Sequence, residues 1–371
     1  DLVNRVVGHE RIQVLTRTEL VSHTGRVGDF RSVLRTVRSD GEVVEREVAH
    51  AVTIVATGGE EWRGEVFMYG RDPRVVTSKE LEEAVVHRPE RIADLRQVVF
   101  IQCVRVPNSV EYCSRICCTS TMKNAIRIKM LNPSCQVVVL YRDIITYGFR
   151  EAFYTEARRR GVVFIRYDDD HEPTIRSVGP QLELIAWDPT LRREVPFYPD
   201  MVVLSMSIQP SSGTEELARI LGVPLSTEGF FMEAHLKMRP MDFTAEGIFV
   251  CGMAHYPKFI DECIANAQAT AGRALTFLAK DRIYIGGVVA EVDQSKCVGC
   301  LTCVRTCPFE IPKVRYEDIG VGNIKGAAYI EPGLCQGCGT CVAECPAKAI
   351  QLVAYKDEQI MAQPLGSWVT G

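Results

Sequence analysis

Hydrophobic positions along this chain change rhythm several times, and each rhythm predicts a different element. From Ile12 to Val37, "IQVLTRTELVSHTGRVGDFRSVLRTV" alternates apolar and polar residues, the period of a half-buried strand. "EVVEREVAHAVTIVATGG", from Glu42, continues this β-rich stretch and ends in a strand and a glycine turn. Val98 to Cys103 is almost continuously apolar, as in a buried strand. A helix is predicted from about Ser114 to Met130, ended by Asn132 and Pro133 and followed by the strand "QVVVLYRD". Strand, helix, strand is the start of a βαβ unit. Further on, "AEGIFVCGMAHYPKFIDECIANAQATAGRALTFLAKD" predicts a short strand to Cys251, a turn at Gly252 and a long helix from about Pro257 to Lys280. Pro257 suits a first helical position, and a helix N-terminus after a strand and glycine suits an anionic cofactor.

Composition narrows the class. The 371 residues allow two or three domains. With 46% apolar and 24% charged residues, they can build a core. No run approaches 18 apolar residues, so no membrane-spanning helix is predicted. A net charge of −4 gives no general reason to expect a nucleic-acid partner. The opening "DLVNRVVGHERIQ" lacks both a signal-peptide pattern and a methionine, and reads as part of something longer.

The cysteines change the picture most. There are 15, and eight lie in two runs, "CVGCLTCVRTCPFEI" from Cys297 and "CQGCGTCVAECPAKAI" from Cys335. Dense, closely spaced thiols point to metal in a reducing compartment. The repeated C-x2-C-x2-C-x3-C-P spacing is that of bacterial two-cluster ferredoxins. Three cysteines two residues apart wrap three corners of a [4Fe–4S] cluster, and the proline sends the fourth to the other cluster. One cluster is therefore expected on Cys297, Cys300, Cys303 and Cys345, the second on Cys335, Cys338, Cys341 and Cys307. Zinc sites usually pair two cysteines, a gap and two more, which fits badly. "GVGNIKG" between the runs reads as a surface loop, because its spacing is wrong for a phosphate loop.

Four further cysteines, Cys103, Cys113, Cys117 and Cys118, fall where a dinucleotide-binding domain carries glycines after its first strand. Cys113 and Cys117 can share one face of a helical turn. The spacing is open to a metal cluster at the mouth of the sheet and to buried structural thiols. No G-x-G-x-x-G follows an N-terminal strand, so the first βαβ unit of a flavin domain must lie upstream or on another chain. None of the seven histidines pairs with a carboxylate or another histidine at ligand spacing. "YDDDHEP", Tyr167 to Pro173, reads as a solvated acidic turn.

Taken together, the segments "IVATGGEEWRGEVFMYGRDPRVVTSKELE", "FIQCV…YCSRICC…MKNA", "EGFFMEAHLKMRPMDF" and "GMAHYPKFIDECIANAQATA", with the double ferredoxin tail, resemble the A subunits of heterodisulfide reductases. The likeness runs over nearly the whole chain. It implies an α/β fold: a partial thioredoxin-reductase-like FAD/NAD(P)-binding fold followed by an α+β two-cluster ferredoxin domain. The expected domains are 1–97, a flavin-domain part; 98–224, a second α/β domain; 225–285, the flavin-domain return; and 286–371, the ferredoxin. The resemblance assigns a third [4Fe–4S] cluster to Cys103, Cys113, Cys117 and Cys118. It puts FAD against Ala56, Thr57 and Gly58, and against Gly252, His255, Pro257 and Lys258, with Lys123 near its ring. It implies electron transfer in a cytoplasmic redox complex, with flavin-based bifurcation. Its partners would be disulfide-reducing, hydrogenase or formate-dehydrogenase-type subunits. Rival readings are an iron–sulfur connector without flavin and an NAD(P)H-dependent reductase of the disulfide-reductase type.

Overall fold

A computed structural model of the chain describes residues 1–106, 111–282, 288–332, 334–356 and 358–362. The expected boundary at 285/286 lies outside the described residues, as does the middle of the loop between Cys103 and Cys113. A short helix α1 (Leu2–Val7) precedes three strands, β1 (Thr18–Arg26), β2 (Asp29–Val37) and β3 (Val43–His50), paired antiparallel in that order. The β1–β2 turn needs glycine: Gly25 has a φ of +96°, and a Cβ there would overlap the carbonyl oxygen of Asp29. Two short strands follow, β4 (Thr53–Val55) and β5 (Gly59–Glu61).

The centre of the molecule is a five-stranded parallel sheet. Its elements in chain order are β6 (Val75–Thr77), α2 (Ser78–His87), α3 (Glu90–Ala93), β7 (Gln97–Val104), α4 (Cys117–Leu131), β8 (Gln136–Tyr141), α5 (Glu151–Arg159) and β9 (Val163–Arg166). A three-stranded antiparallel layer, β10 (Thr174–Val178), β11 (Gln181–Asp188) and β12 (Arg193–Phe197), precedes β13 (Met201–Met206) and β14 (Ile208–Pro210). The strand order is β6-β13-β7-β8-β9. Side chains alternate between the faces of β7. Val98 and Phe100 pack with Leu81, Ile92, Met122 and Ile128 under the helices. Val99 and Ile101 pack with Leu182 and Leu184 under the antiparallel layer. Covering both faces explains why β7 is so uniformly apolar.

Three elements close the body. In α6 (Thr214–Leu221), Ala218 and Leu221 pack with Phe30, Phe231 and Ile248. The strand β15 (Ile248–Val250) lies parallel to β4, and β14 pairs with β5. The helix α7 (Ile260–Leu278) follows. Two expected boundaries move. Val75–Ala93 belongs with the central sheet, ahead of residue 98, because β6 pairs with β13 and Leu81, Val85 and Ile92 enter its core. The return begins at α6 and not at residue 225, because α6 packs into the core of the first sheet. Pro257 stays in the turn before α7; the helix starts at Ile260, where the Glu262 carboxylate accepts the Phe259 N–H at 2.8 Å.

The tail contains β16 (Ala290–Val292), α8 (Thr302–Thr306), β17 (Lys313–Ile319), β18 (Lys325–Tyr329), α9 (Thr340–Ala343) and β19 (Ile350–Leu352). The strands pair antiparallel as β16–β19 and β17–β18, and "GVGNIKG" makes the turn of the second hairpin. The buried core here is Cys297, Cys303 and Cys341 among alanines, Ile330 and Ile350. Arg26 at the end of β1 meets Glu331 at 3.3 Å, tying the tail to the body. Among the described residues no helix is long and apolar enough to cross a membrane.

Candidate redox centre

In the tail the two cysteine runs fold toward each other. Cys297, Cys300 and Cys303 line one cavity, and the fourth cysteine on its wall is Cys345, followed by Pro346. Cys341 feels the charges of Cys335 and Cys338 in its own run and of Cys307 and Cys303 from the first. Burial pushes the Cys341 thiol up to about 11 and raises Cys303, while the Thr302 hydroxyl lowers the exposed Cys300. Metal must displace the buried protons to bind. Backbone N–H groups already point at sulfur: Ala328 donates to Cys297 Sγ at 3.4 Å, Ala290 to Cys335 Sγ at 3.3 Å and Ala349 to Cys345 Sγ at 3.3 Å. Such bonds stabilise sulfur-borne negative charge and tune a cluster's potential.

The second group lies at the carboxyl end of the central sheet. Cys103 leaves β7 with a left-handed φ of 58°, and the register of β13 against β7 shifts between Leu204 and Met206. Cys103, Cys113, Cys117 and Cys118 all line one cavity of about 290 Å³ with Arg105, Ser205 and Ser207. One water needs roughly 10–15 Å³ by that measure, so a group of several atoms fits. Ser207 Oγ, buried on its wall, has no hydrogen-bond partner among the described residues. The first turn of α4 contains no acidic residue and no side-chain cap, so its free N–H end favours thiolates. Burial raises the Cys103 thiol; a hydrogen bond between neighbouring thiols raises Cys117 and lowers Cys118. Among the described residues no three His, Cys, Asp or Glu side chains converge as on a single metal ion. A four-iron cluster instead asks each thiolate to reach a different iron.

The third group is at the head of α7. Because β4 and β15 are parallel neighbours, Ala56-Thr57-Gly58 and the Gly252 turn emerge from the same sheet end. Ser211 Oγ donates to the Thr57 carbonyl at 2.9 Å, and the Gly252 N–H to Asn266 Oδ1 at 2.5 Å. His255 Nε2 stands 2.8 Å from Glu233, and Lys258 Nζ 3.1 Å from His255 Nδ1. Burial lowers both His255 and Lys258, the latter to about 8.

The cysteine loop is tied directly to this turn. The Tyr256 hydroxyl donates to the Cys113 carbonyl at 3.1 Å. Arg115 donates to Glu262 at 3.0 Å and to the Tyr147 hydroxyl at 2.8 Å, and that hydroxyl donates to Glu262 at 2.6 Å. Tyr112 donates to the Ile208 carbonyl and packs edge-on against Phe230. Burial pushes its phenol to about 12, so it stays a donor. Sequence reading did not find these residues, because their partners lie far along the chain. The aromatics embedded in "YCSRICC" and "HYPKF" were the available signal.

Lys123 stands on α4 at 2.6 Å from Glu82 of α2, in a different depression from the cysteines. One expectation is corrected. Histidines do find carboxylates: His255 with Glu233, and His171 with Asp168 at 2.8 Å. The first pair is 22 residues apart, which spacing rules do not see. "YDDDHEP" engages Arg142 through Asp169 and Glu172.

Residues 296–349 match the 4Fe-4S dicluster domain. The chain is 35% identical over 292 residues to the A subunit of the H(2):CoB-CoM heterodisulfide,ferredoxin reductase of Methanothermobacter thermautotrophicus, covering 74% of this chain and 44% of that one. It is 35% identical over 346 residues to the iron-sulfur A subunit of the CoB--CoM heterodisulfide reductase of Methanocaldococcus jannaschii, covering 88% of this chain and 51% of that one. This chain is a homologue of the heterodisulfide reductase A subunit. It spans about half the length of these curated relatives. Among solved structures it is similar to thioredoxin reductase of T. acidophilum, at 16% identity and a TM-score of 0.47, covering 71% of this chain and 74% of that one. The α/β body and the four-iron–type tail agree with the fold class expected for an A-subunit homologue.

Proposed function

We propose that this A-subunit homologue is the electron-transfer part of a cytoplasmic redox complex. In this reading Cys297, Cys300, Cys303 and Cys345 hold one [4Fe–4S] cluster and Cys335, Cys338, Cys341 and Cys307 a second. Cys103, Cys113, Cys117 and Cys118 hold a third. A flavin sits at the head of α7, against Ala56-Thr57-Gly58 and the Gly252–Lys258 turn, its pyrophosphate loop supplied by an upstream βαβ unit or another chain. The partners are a hydrogenase or formate-dehydrogenase-type donor and a disulfide-reducing subunit. The flavin divides electron pairs between high- and low-potential acceptors.

The observation that supports this best is the joining of two candidate centres. Four cysteines share one cavity, and Tyr256 and the Arg115–Glu262–Tyr147 network bind their loop to the flavin-type turn. Ligands of open α/β sheets lie at the carboxyl ends of strands, so an electron passing between the two groups stays on one face of the body. Iron and flavin analysis of the anaerobically purified complex tests the reading. The chain should carry about twelve irons, four per cluster. Exchanging Cys117 and Cys118 for serine should remove about four of them and leave the tail's signals intact. An unchanged iron count in that double variant would return the four thiols to a structural role, and a complex without flavin would leave an iron–sulfur connector.

A further inference from the structure

The two cysteine runs of the tail serve as controls for each other. Gly299 and Gly337 have φ of +64° and +65°, and Leu301 and Gly339 have +63° and +78°. The Arg305 N–H donates to the Leu301 carbonyl at 3.1 Å, and the Ala343 N–H to the Gly339 carbonyl at 3.0 Å. The backbones of the runs thus fold alike, while their side chains differ. Where the second run has Gln336, Gly339 and Ala343, the first has Val298, Leu301 and Arg305. Leu301 is the costly choice, because a left-handed backbone suits glycine and crowds a longer side chain. Gly339 shows that this backbone does not require it, and Leu301 is 40% exposed. Val298, Val321 and Ile324 join it in one apolar patch, each 41% to 44% exposed. The Val321 N–H donates to the Cys297 carbonyl at 2.9 Å, and Ile324 Cγ2 lies 3.8 Å from where Gly299 would carry a Cβ. The exposed Cys300 sits in the same loop. Arg305, one helical turn beyond Leu301, and Lys325, beside Ile324, flank the patch. Neither forms an ion pair with a carboxylate among the described residues, whereas Lys296 is met by Asp293 at 3.0 Å.

We propose that the patch of Val298, Leu301, Val321 and Ile324 docks an iron–sulfur electron carrier whose own face is apolar with an acidic rim, so that the first run, and not the second, is the tail's port for electrons. The proposal rests on Cys297, Cys300, Cys303 and Cys345 holding a [4Fe–4S] cluster. One electron crosses at a time: the cluster that gives it is oxidised, the one that takes it is reduced, and no bond or proton moves. Two observations select this occupant. Four partly exposed side chains fall short of the roughly 1,200–2,000 Å² that a stable interface buries, but suit the smaller, transient encounters of redox proteins. A second copy on the patch would also bring the same unpaired cations, Arg305 and Lys325, toward one another, whereas a partner's carboxylates answer them and speed the encounter.

The full chain, its iron restored anaerobically, is tested against an acidic [4Fe–4S] ferredoxin as probe, oxidised for binding by calorimetry and reduced for rapid mixing. Leu301→Gly and Arg305→Glu should both keep wild-type iron content, because the second run makes the same turn with Gly339 and Ala343. Each should weaken binding and slow reduction of the tail by about tenfold or more. Added salt should slow the wild type but not Arg305→Glu, which has lost the attraction that salt screens. Gln336→Ala, in the second run, should change neither binding nor rate. Wild-type behaviour in both first-run variants, losses that follow Gln336→Ala instead, or a wild-type chain that ignores the probe overturns the proposal. So does a dimer in sedimentation that Leu301→Gly splits, since a second copy then covers the patch. A tail that takes up no iron overturns the functional reading, and this proposal with it; an iron-loaded tail that ignores the probe overturns only the docking.

Discussion

Single residues divide into those whose partners are close in sequence and those whose partners are not. The tail cysteines were legible because a cluster motif is local; Glu233 was not, because only the fold brings it to His255. His23 shows what such hidden neighbours do. Burial and the adjacent His50 lower it to about 4 from an ordinary 6.5. The unfolded chain therefore takes up this proton first, so the contribution is complete above pH 6.5 and lost as pH falls toward 4. Thermal melts across that range should show wild type losing more stability than His23→Gln; parallel curves would deny the linkage. Cys345 offers a second check. Because it lines the cavity of Cys297, Cys300 and Cys303, Cys345→Ala should disturb the spectrum of the cluster held by those three. Loss confined to the other cluster would reassign the ligands.

Elements were legible in proportion to their length and uniformity. The strand β7 announced itself as a continuous apolar run, whereas β6, three residues long, gave no signal and so hid where the central unit begins. The start of α7 was misread because a proline suits a first helical turn in general, while here Glu262 caps the helix three residues later. β7 also carries the largest energetic claim at this scale. Phe100 is fully buried between the sheet and α4. Phe100→Ala should cost about 3–5 kcal/mol, the usual toll of a large core cavity. Denaturant unfolding of the chain checks it, and a loss below 1 kcal/mol would mean that the core collapses around the gap.

The whole molecule joins two kinds of stability. Among the described residues the body has three apolar cores, but the tail's core is largely thiol and alanine. Apolar burial alone rarely supports so small a domain, so metal is expected to supply the difference. Removing iron with a chelator should abolish amide protection across β16–β19 while that of β7 and β8 persists; full protection in the iron-free tail would refute this. The cavity shared by Cys345 with the first run also has a consequence for biosynthesis. When the ribosome releases Cys303, the wall of that cavity lacks its fourth thiol, which follows only after about forty residues, or some seconds of elongation at roughly 5–20 residues per second. That pocket is therefore incomplete until Cys345 has been made, and an iron donor acting before then meets only three of its four thiols.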